Sequence, residues 1–211
     1  MKVLLVNGSP NKEGCTYTAL SEVAKTLELE GIETEIFHIG NTPISGCKAC
    51  KACRKLGKCA IDDIVNEFAE KAKEADGFIF GSPVYYASAN GSLLSFMDRL
   101  FFSAGRSMRL KPAAAVASAR RAGTTATLDI INKYFTISQM PIVSSRYWNM
   151  VHGSNAADVL RDEEGLWTMR TLGRNMAYLL KAIDAAKKAG IPTPRTGAGR
   201  VYQLYQTRMI N

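Results

Sequence analysis

The stretch that decides the fold is residues 2–16, KVLLVNGSPNKEGCT. Lys2 to Val6 is a short apolar run, and Asn7-Gly8-Ser9-Pro10 breaks it, which is the pattern of a buried strand running into a loop. Beyond that loop Ala19, Leu20, Val23, Ala24 and Leu27 recur at spacings of three and four until Gly31, so a helix is expected over residues 16–29. Working outward, residues 33–39 alternate like a second strand. Asp62 or Asp63 can cap a helix running to about Ala75, and Gly77 to Gly81 is a third buried strand. A helix over 88–102, a strand over 113–117, a helix over 124–134, a strand over 140–144 and a long helix over 163–188 complete the pattern. Strands alternating with helices at this spacing predict an α/β fold, a doubly wound parallel sheet covered on both faces.

Five such units suit a flavodoxin-like sheet with strand order 2-1-3-4-5. A length of 211 residues fits one domain, expected over residues 1–190, with a cysteine-rich loop (46–62) inserted after the second strand. Residues 191–211 hold two prolines, two glycines and two tyrosines without periodicity and are expected to form an irregular arm. Hydrophobic residues at 46% and charged residues at 22% exclude disordered and fibrous classes. No run approaches the ~18 apolar residues of a membrane helix, and the first residues lack an apolar signal core. A cytoplasmic protein with no membrane partner is expected.

The formal charge of +8 is unevenly spread. Residues 47–59, 99–121 and 187–211 carry five, six and five basic residues and no acid, sixteen charges that leave the remainder at −8. Such patches serve nucleic acid, a phosphorylated cofactor or an acidic redox partner. No zinc-finger spacing, helix-turn-helix signal or aromatic-rich RNA motif accompanies them, so nucleic acid is not expected.

In a doubly wound sheet the ligand binds beyond the carboxyl ends of the strands. After the first strand, Gly8 to Thr16 offers small residues, the hydroxyls of Ser9 and Thr16, and free amides at a helix start, all suited to an anion. The loop matches neither G-x-x-x-x-G-K-[ST] nor G-x-G-x-x-G, which disfavours a nucleoside triphosphate or dinucleotide. After the third strand, Ser82-Pro83-Val84-Tyr85-Tyr86 leads to Asn90-Gly91, with a stiffened turn and two rings able to lie on a heterocycle or simply to pack. After the fourth, Ser118 to Thr124 is small and basic. Three such loops converge on one end of the sheet.

The cysteines divide into Cys15 and the run Cys47-x2-Cys50-x2-Cys53-x5-Cys59. Clustered thiols in a chain without a secretion signal point to metal or redox chemistry more than to a disulfide framework. Thiolates three apart in a loop can each reach a different iron of a cubane, with a fourth closing it. Free or disulfide-prone thiols and a four-thiolate zinc are the alternatives. His38 reads as structural, His152 as near a cofactor or a subunit contact, and Asp98-Arg99 as a structural ion pair.

The segments GSPNKEGCT, GSPVYYASANGSLLSFMDR and Ser118 to Gly123 resemble the FMN-binding segments of the NAD(P)H-dependent FMN reductase and iron-sulfur flavoprotein group. The resemblance implies that Ser9, Asn11, Cys15 and Thr16 hold the FMN phosphate, Lys12 or the backbone assisting. It places Ser82, Pro83, Val84, Tyr85, Tyr86, Asn90 and Gly91 around the flavin ring, with Ser118, Arg120 and Gly123 completing the site. The four clustered cysteines look like the compact 4Fe-4S pattern of that group. The same resemblance implies an oxidoreductase or electron-transfer flavoprotein taking electrons from NAD(P)H or a ferredoxin-like donor. It would pass them to a small acceptor (quinone, flavin, azo or nitro compound) or to a redox partner, as a homodimer or homotetramer. Since the flavin supplies the chemistry, no catalytic side chain is singled out. Two other classes fit: a noncatalytic redox-responsive binding module built on the basic cysteine loop, and a zinc-stabilised binding protein.

Overall fold

The computed structural model describes residues 1–194; the expected arm at 191–211 lies outside them from residue 195 onward. The elements in chain order are β1 (Lys2–Asn7), α1 (Cys15–Leu29), β2 (Glu33–His38), α2 (Cys53–Leu56), α3 (Ile64–Glu74), β3 (Gly77–Tyr85), β4 (Ser88–Ala89), α4 (Gly91–Met108), β5 (Ala113–Ala119), α5 (Thr124–Ile137), β6 (Met150–His152), α6 (Ala156–Val159) and α7 (Glu163–Lys188). Five strands pair in parallel in the order β2-β1-β3-β5-β6, the flavodoxin-like order expected, and β4 adds a short antiparallel hairpin on β3. Met1–Leu180 form one compact unit; from Lys181 onward α7 continues as helix, with Lys188 Nζ 2.8 Å from Asp184 Oδ2. No helix among the described residues is long and apolar enough to cross a membrane.

Strand side chains alternate between faces, and here each face is buried by a different helix set. Leu4, Val6, Phe78, Phe80, Ala115 and Ala117 point to a core closed by Phe68 of α3, Phe96 and Leu100 of α4, and Ile131 and Phe135 of α5. Their sequence neighbours Val3, Leu5, Ile79, Ala114 and Val116 point to a core closed by Leu20, Val23 and Leu27 of α1 and Met169, Leu172 and Met176 of α7. Phe68 anchors the first core, its ring centroid 5.1 Å from that of Phe37 and 5.4 Å from that of Phe96.

Two boundaries differ from expectation. The helix expected at 88–102 starts at Gly91, because Ser88–Ala89 pair back on β3 and the Asn90 side chain accepts the amides of Ser92 (2.8 Å) and Leu93 (3.3 Å). This is an N-cap in the usual sense: the carboxamide satisfies donors that the first turn leaves open. The strand expected at 140–144 reduces to a single bridge, Ile142 beside Ala113. The chain then leaves the sheet and returns as β6, where Met150–His152 pair with Ala117–Ala119. The reason lies on α7: the Ser145 hydroxyl donates to the Thr168 carbonyl at 2.6 Å, and the Arg146 guanidinium sits 3.7 Å over the Trp167 ring. Those contacts draw residues 144–149 off the strand line.

Candidate functional site

The loops after β1, β3 and β5 are fastened to one another by specific contacts. The Gly8 amide donates to the Gly81 carbonyl at 2.9 Å, and the Thr16 and Ser118 hydroxyls lie 2.8 Å apart, tying the start of α1 to the end of β5. Gly123, with φ +93°, backs onto the β3–β4 hairpin so closely that a Cβ there would stand 2.8 Å from Ala87 Cα and 2.9 Å from Val84 Cγ1. Only glycine combines that backbone angle with that approach. The hairpin tip itself holds two non-glycine residues in the left-handed region, Tyr86 (φ 51°) and Ala87 (φ 56°), with the Tyr86 ring fully in solvent. Such conformations cost on the order of 1–2 kcal/mol each and gather at functional sites.

The structure separates the expected contact residues into two sets. Thr16, Ser82, Asn90 and Ser118 are buried and bonded within the protein: Ser82 Oγ accepts the Asn90 amide at 2.9 Å and donates to the Pro83 carbonyl, and Asn90 caps α4. Ser9 is also buried, its hydroxyl accepting the Asn11 amide at 3.1 Å and its carbonyl bonded by His38 Nε2 at 2.8 Å, the structural role expected of that histidine. Asn11, Tyr85, Tyr86, Gly91 and Arg120 remain exposed at the same end of the sheet, with Pro83, Val84 and Gly123 half-buried among them. Asn7, expected from the sequence only to help break the first strand, has a further part in the site, and an Asn before Gly at a strand end is a turn-former. It accepts the Ser9 amide and donates to the Lys12 carbonyl, and so shapes the first loop.

The start of α1 fits an anion. Gly14 caps it without a side chain and no acid occupies its first turn, whereas α3 and α4 are capped by Asp63 and Asn90. The amides at that end, with their positive dipole, are available to a phosphate, and Lys12 is exposed beside them. Cys15, the first residue of α1, directs its thiol to the Gly153 carbonyl at 3.6 Å, and burial, with the negative charge of Asp158, raises its pKa against the lowering effect of a backbone hydrogen bond. The thiol is thus held toward its neutral form at the start of α1. His152 bonds the Arg121 carbonyl through Nε2 at 3.1 Å, so β6 borders the same loops.

A second centre lies in the loop after β2. Cys47, Cys50, Cys53 and Cys59 all line one cavity of about 250 Å³, with Ala60, Ile61 and Phe102 as apolar wall and Arg99 and Ser103 from α4. Ala49 (φ 52°) and Lys51 (φ 58°), flanking Cys50, sit in the left-handed region and turn the chain between thiols. Asn66 secures the far end, accepting the Cys59 amide and donating to the Cys59 and Ile61 carbonyls. The Asp98-Arg99 ion pair expected from sequence does not form. Arg99 pairs with Asp63, and Asp98 accepts the Tyr134 hydroxyl. Lys48, Lys51, Arg54 and Lys55 are exposed around the cavity without a salt bridge among the described residues, while Lys58 lies 3.6 Å from Asp62.

Residues 1–155 match the family model described as NADPH-dependent FMN reductase. The chain belongs to that family. Membership makes FMN its cofactor and places it among FMN-dependent oxidoreductases and electron-transfer flavoproteins. It is 36% identical over 191 residues to an iron-sulfur flavoprotein of Methanocaldococcus jannaschii, covering 87% of this chain and 99% of the relative. It is 35% identical over 188 residues to an iron-sulfur flavoprotein of Methanosarcina thermophila, covering 87% and 97%. A flavodoxin from the domain Archaea superposes with a TM-score of 0.57 at 15% identity, covering 86% of this chain and 99% of that one, which shows the shared fold.

Proposed function

We propose that this flavoprotein holds a 4Fe-4S cluster on Cys47, Cys50, Cys53 and Cys59, and takes electrons from NAD(P)H or a ferredoxin-like protein. It passes them to a small acceptor such as a quinone, flavin, azo or nitro compound, or to a redox partner. The observation that carries the reading is the gathering of all four thiols, in a run of thirteen residues, around one apolar-walled cavity. Four thiolates and no oxygen or nitrogen ligand are the donor set of an iron-sulfur cubane. A single zinc needs its four sulfurs within about 2.3 Å of one point. No three Cys, His, Asp or Glu side chains among the described residues converge closely enough to hold a metal ion as they stand, so the four thiols would draw together around either group.

FMN, when bound, supplies hydride and single-electron chemistry, so the protein's part is to bind, orient and shield it. The α1 amides and Lys12 would hold its phosphate, while the β3–β4 hairpin with Tyr85 and Tyr86 and the loop from Ser118 to Gly123 would flank its ring. Exposed basic residues around the cysteine cavity suit an acidic electron carrier, whose approach they would steer at low salt. The exposed rings of Tyr147 and Trp148 suit burial in a homodimer or homotetramer, and reduced thiols around the cavity suit the cytoplasm.

Protein purified without oxygen is expected to show flavin bands over a broad brown shoulder, with about four irons and matching sulfide per chain. Flavin bands alone would sink the cluster, and a colourless protein that refuses added FMN would sink the whole reading. Replacing Ser9 by Ala and Thr16 by Val together removes the hydroxyls that shape the phosphate loop, each bond being worth about 1 kcal/mol. FMN affinity, read by quenching of flavin fluorescence, is expected to fall by about tenfold or more. Unchanged affinity would place the phosphate elsewhere.

A further inference from the structure

The Arg99 side chain is 1% exposed, and a guanidinium so deeply buried is stable only when its donors are met. Its five N–H groups face five acceptors. Nη1 donates to Asp63 Oδ2 at 2.6 Å and to the Ser45 carbonyl at 3.5 Å. Nη2 donates to Asp63 Oδ1 at 2.8 Å and to the Ile61 carbonyl at 2.9 Å, and Nε donates to Cys59 Sγ at 3.3 Å. Pairing with Asp63 alone would not require this burial. The acceptors instead come from both ends of the cysteine loop, two residues before Cys47 and at the last cysteine itself, so one side chain of α4 closes the loop around the cavity.

The Nε donor is the informative one. A neutral thiol is a weak acceptor, whereas a thiolate accepts a charge-assisted bond of about twice the usual strength. A guanidinium spending its single Nε–H on sulfur therefore gains most when Cys59 is ionised, as it is when it holds iron. The other three sulfurs differ: Cys47 and Cys50 are exposed, and the Cys53 thiol points to the Phe102 carbonyl at 3.9 Å, a contact a thiolate cannot make as donor.

We propose that Arg99 sets the reduction potential of the cluster through its Nε–H bond to Cys59 Sγ, with Asp63 as the residue that positions it. The inference rests on the cluster reading above. A cation and a hydrogen bond at a ligand sulfur stabilise the more negative, reduced cluster and raise its potential. Asp63 accepts both outer nitrogens of the fork and, through Oδ1, also caps α3 by accepting the Val65 amide, which fixes Nε on the sulfur.

The test is a redox titration of the reconstituted full-length protein, followed by electron paramagnetic resonance, with iron counted in every sample. Arg99→Lys keeps the charge beside Asp63 but loses the forked geometry. At a fixed ambient potential its ratio of reduced to oxidised cluster is expected to fall by about tenfold, which is 59 mV for a one-electron couple. Asp63→Asn removes the opposing charge while leaving an acceptor for the fork, and is expected to shift the ratio the other way. Deuterium exchange should perturb the Fe–S(Cys) stretching bands of the wild type more than those of Arg99→Lys, a difference that a merely structural clamp would not produce. Full iron with unchanged potentials in both variants overturns the role of Arg99. If Arg99→Lys loses its iron, Asp63→Asn decides the matter through its potential and its deuterium shift against the wild type, and both unchanged would overturn the role of Arg99. A wild-type chain that takes up no iron after treatment with ferrous ion and sulfide overturns the cluster itself, a failure distinct from the first.

Discussion

Replacement of Cys47 and Cys50 together by Ala is expected to reduce the iron content from about four per chain to below about one, since a cubane deprived of two of its four thiolates loses its hold. Both residues are exposed and make no hydrogen bond among the described residues. Their removal should therefore leave the stability of the metal-free protein within about 0.5 kcal/mol, the ordinary range for surface changes. FMN affinity should stay within about twofold, because the loops after β1, β3 and β5 do not use either side chain. Iron and sulfide analysis beside flavin fluorescence separates these outcomes. Retention of four irons would show that the cluster has other ligands, and would remove the cysteine cavity from the functional account.

Phe68→Ala carries the largest expected cost in stability. The Phe68 ring is fully buried on α3, and its centroid lies 5.1–6.4 Å from those of Phe37, Phe78, Phe80 and Phe96. Deleting it removes apolar burial and opens a cavity against strands β2 and β3 and helix α4, at about 3–5 kcal/mol. That is a large share of a typical domain's 5–15 kcal/mol. Urea unfolding of the metal-free protein measures it, and Phe68→Leu should recover most of the loss. A midpoint unchanged in Phe68→Ala would mean that α3 is not docked as described. The consequence reaches the site, because α3 begins at Asp63, the partner of Arg99. Weakening the core under α3 should also loosen the end of the cysteine loop.

The misplaced edge strand and the misassigned ion pair have one physical origin. Interior strands such as β1 and β3 bury both faces and read as unbroken apolar runs. The edge strand does not: within residues 140–152 the buried positions are Met140, Val143, Asn149, Met150 and Val151, and the choice between the two apolar segments depends on Ser145 and Arg146 meeting α7. Likewise Asp98 and Arg99 are adjacent in sequence, but adjacent helical residues point in different directions and do not face each other. The partner of Arg99 lies 36 residues away, at the N-cap of another helix.

The site shows the same division. That three small-residue loops follow buried strands, that four cysteines crowd one loop and that basic residues surround them are facts of local order, readable because strand period, turn chemistry and cysteine spacing are written in consecutive residues. From them alone come the doubly wound sheet, three ligand loops at one end of it and the choice among cluster, zinc and free thiols, while the flavin is what the resemblance to a known family implies. The tertiary structure decided which hydroxyls are spent on joining the loops to one another, as Thr16 is to Ser118, and which groups remain facing outward for a ligand. It also decided that the four thiols share one cavity with a buried arginine aimed at the last of them. Hydrogen bonds to a buried side chain are settled by whichever elements pack against it, and that packing brings together residues with no mark of each other in the sequence.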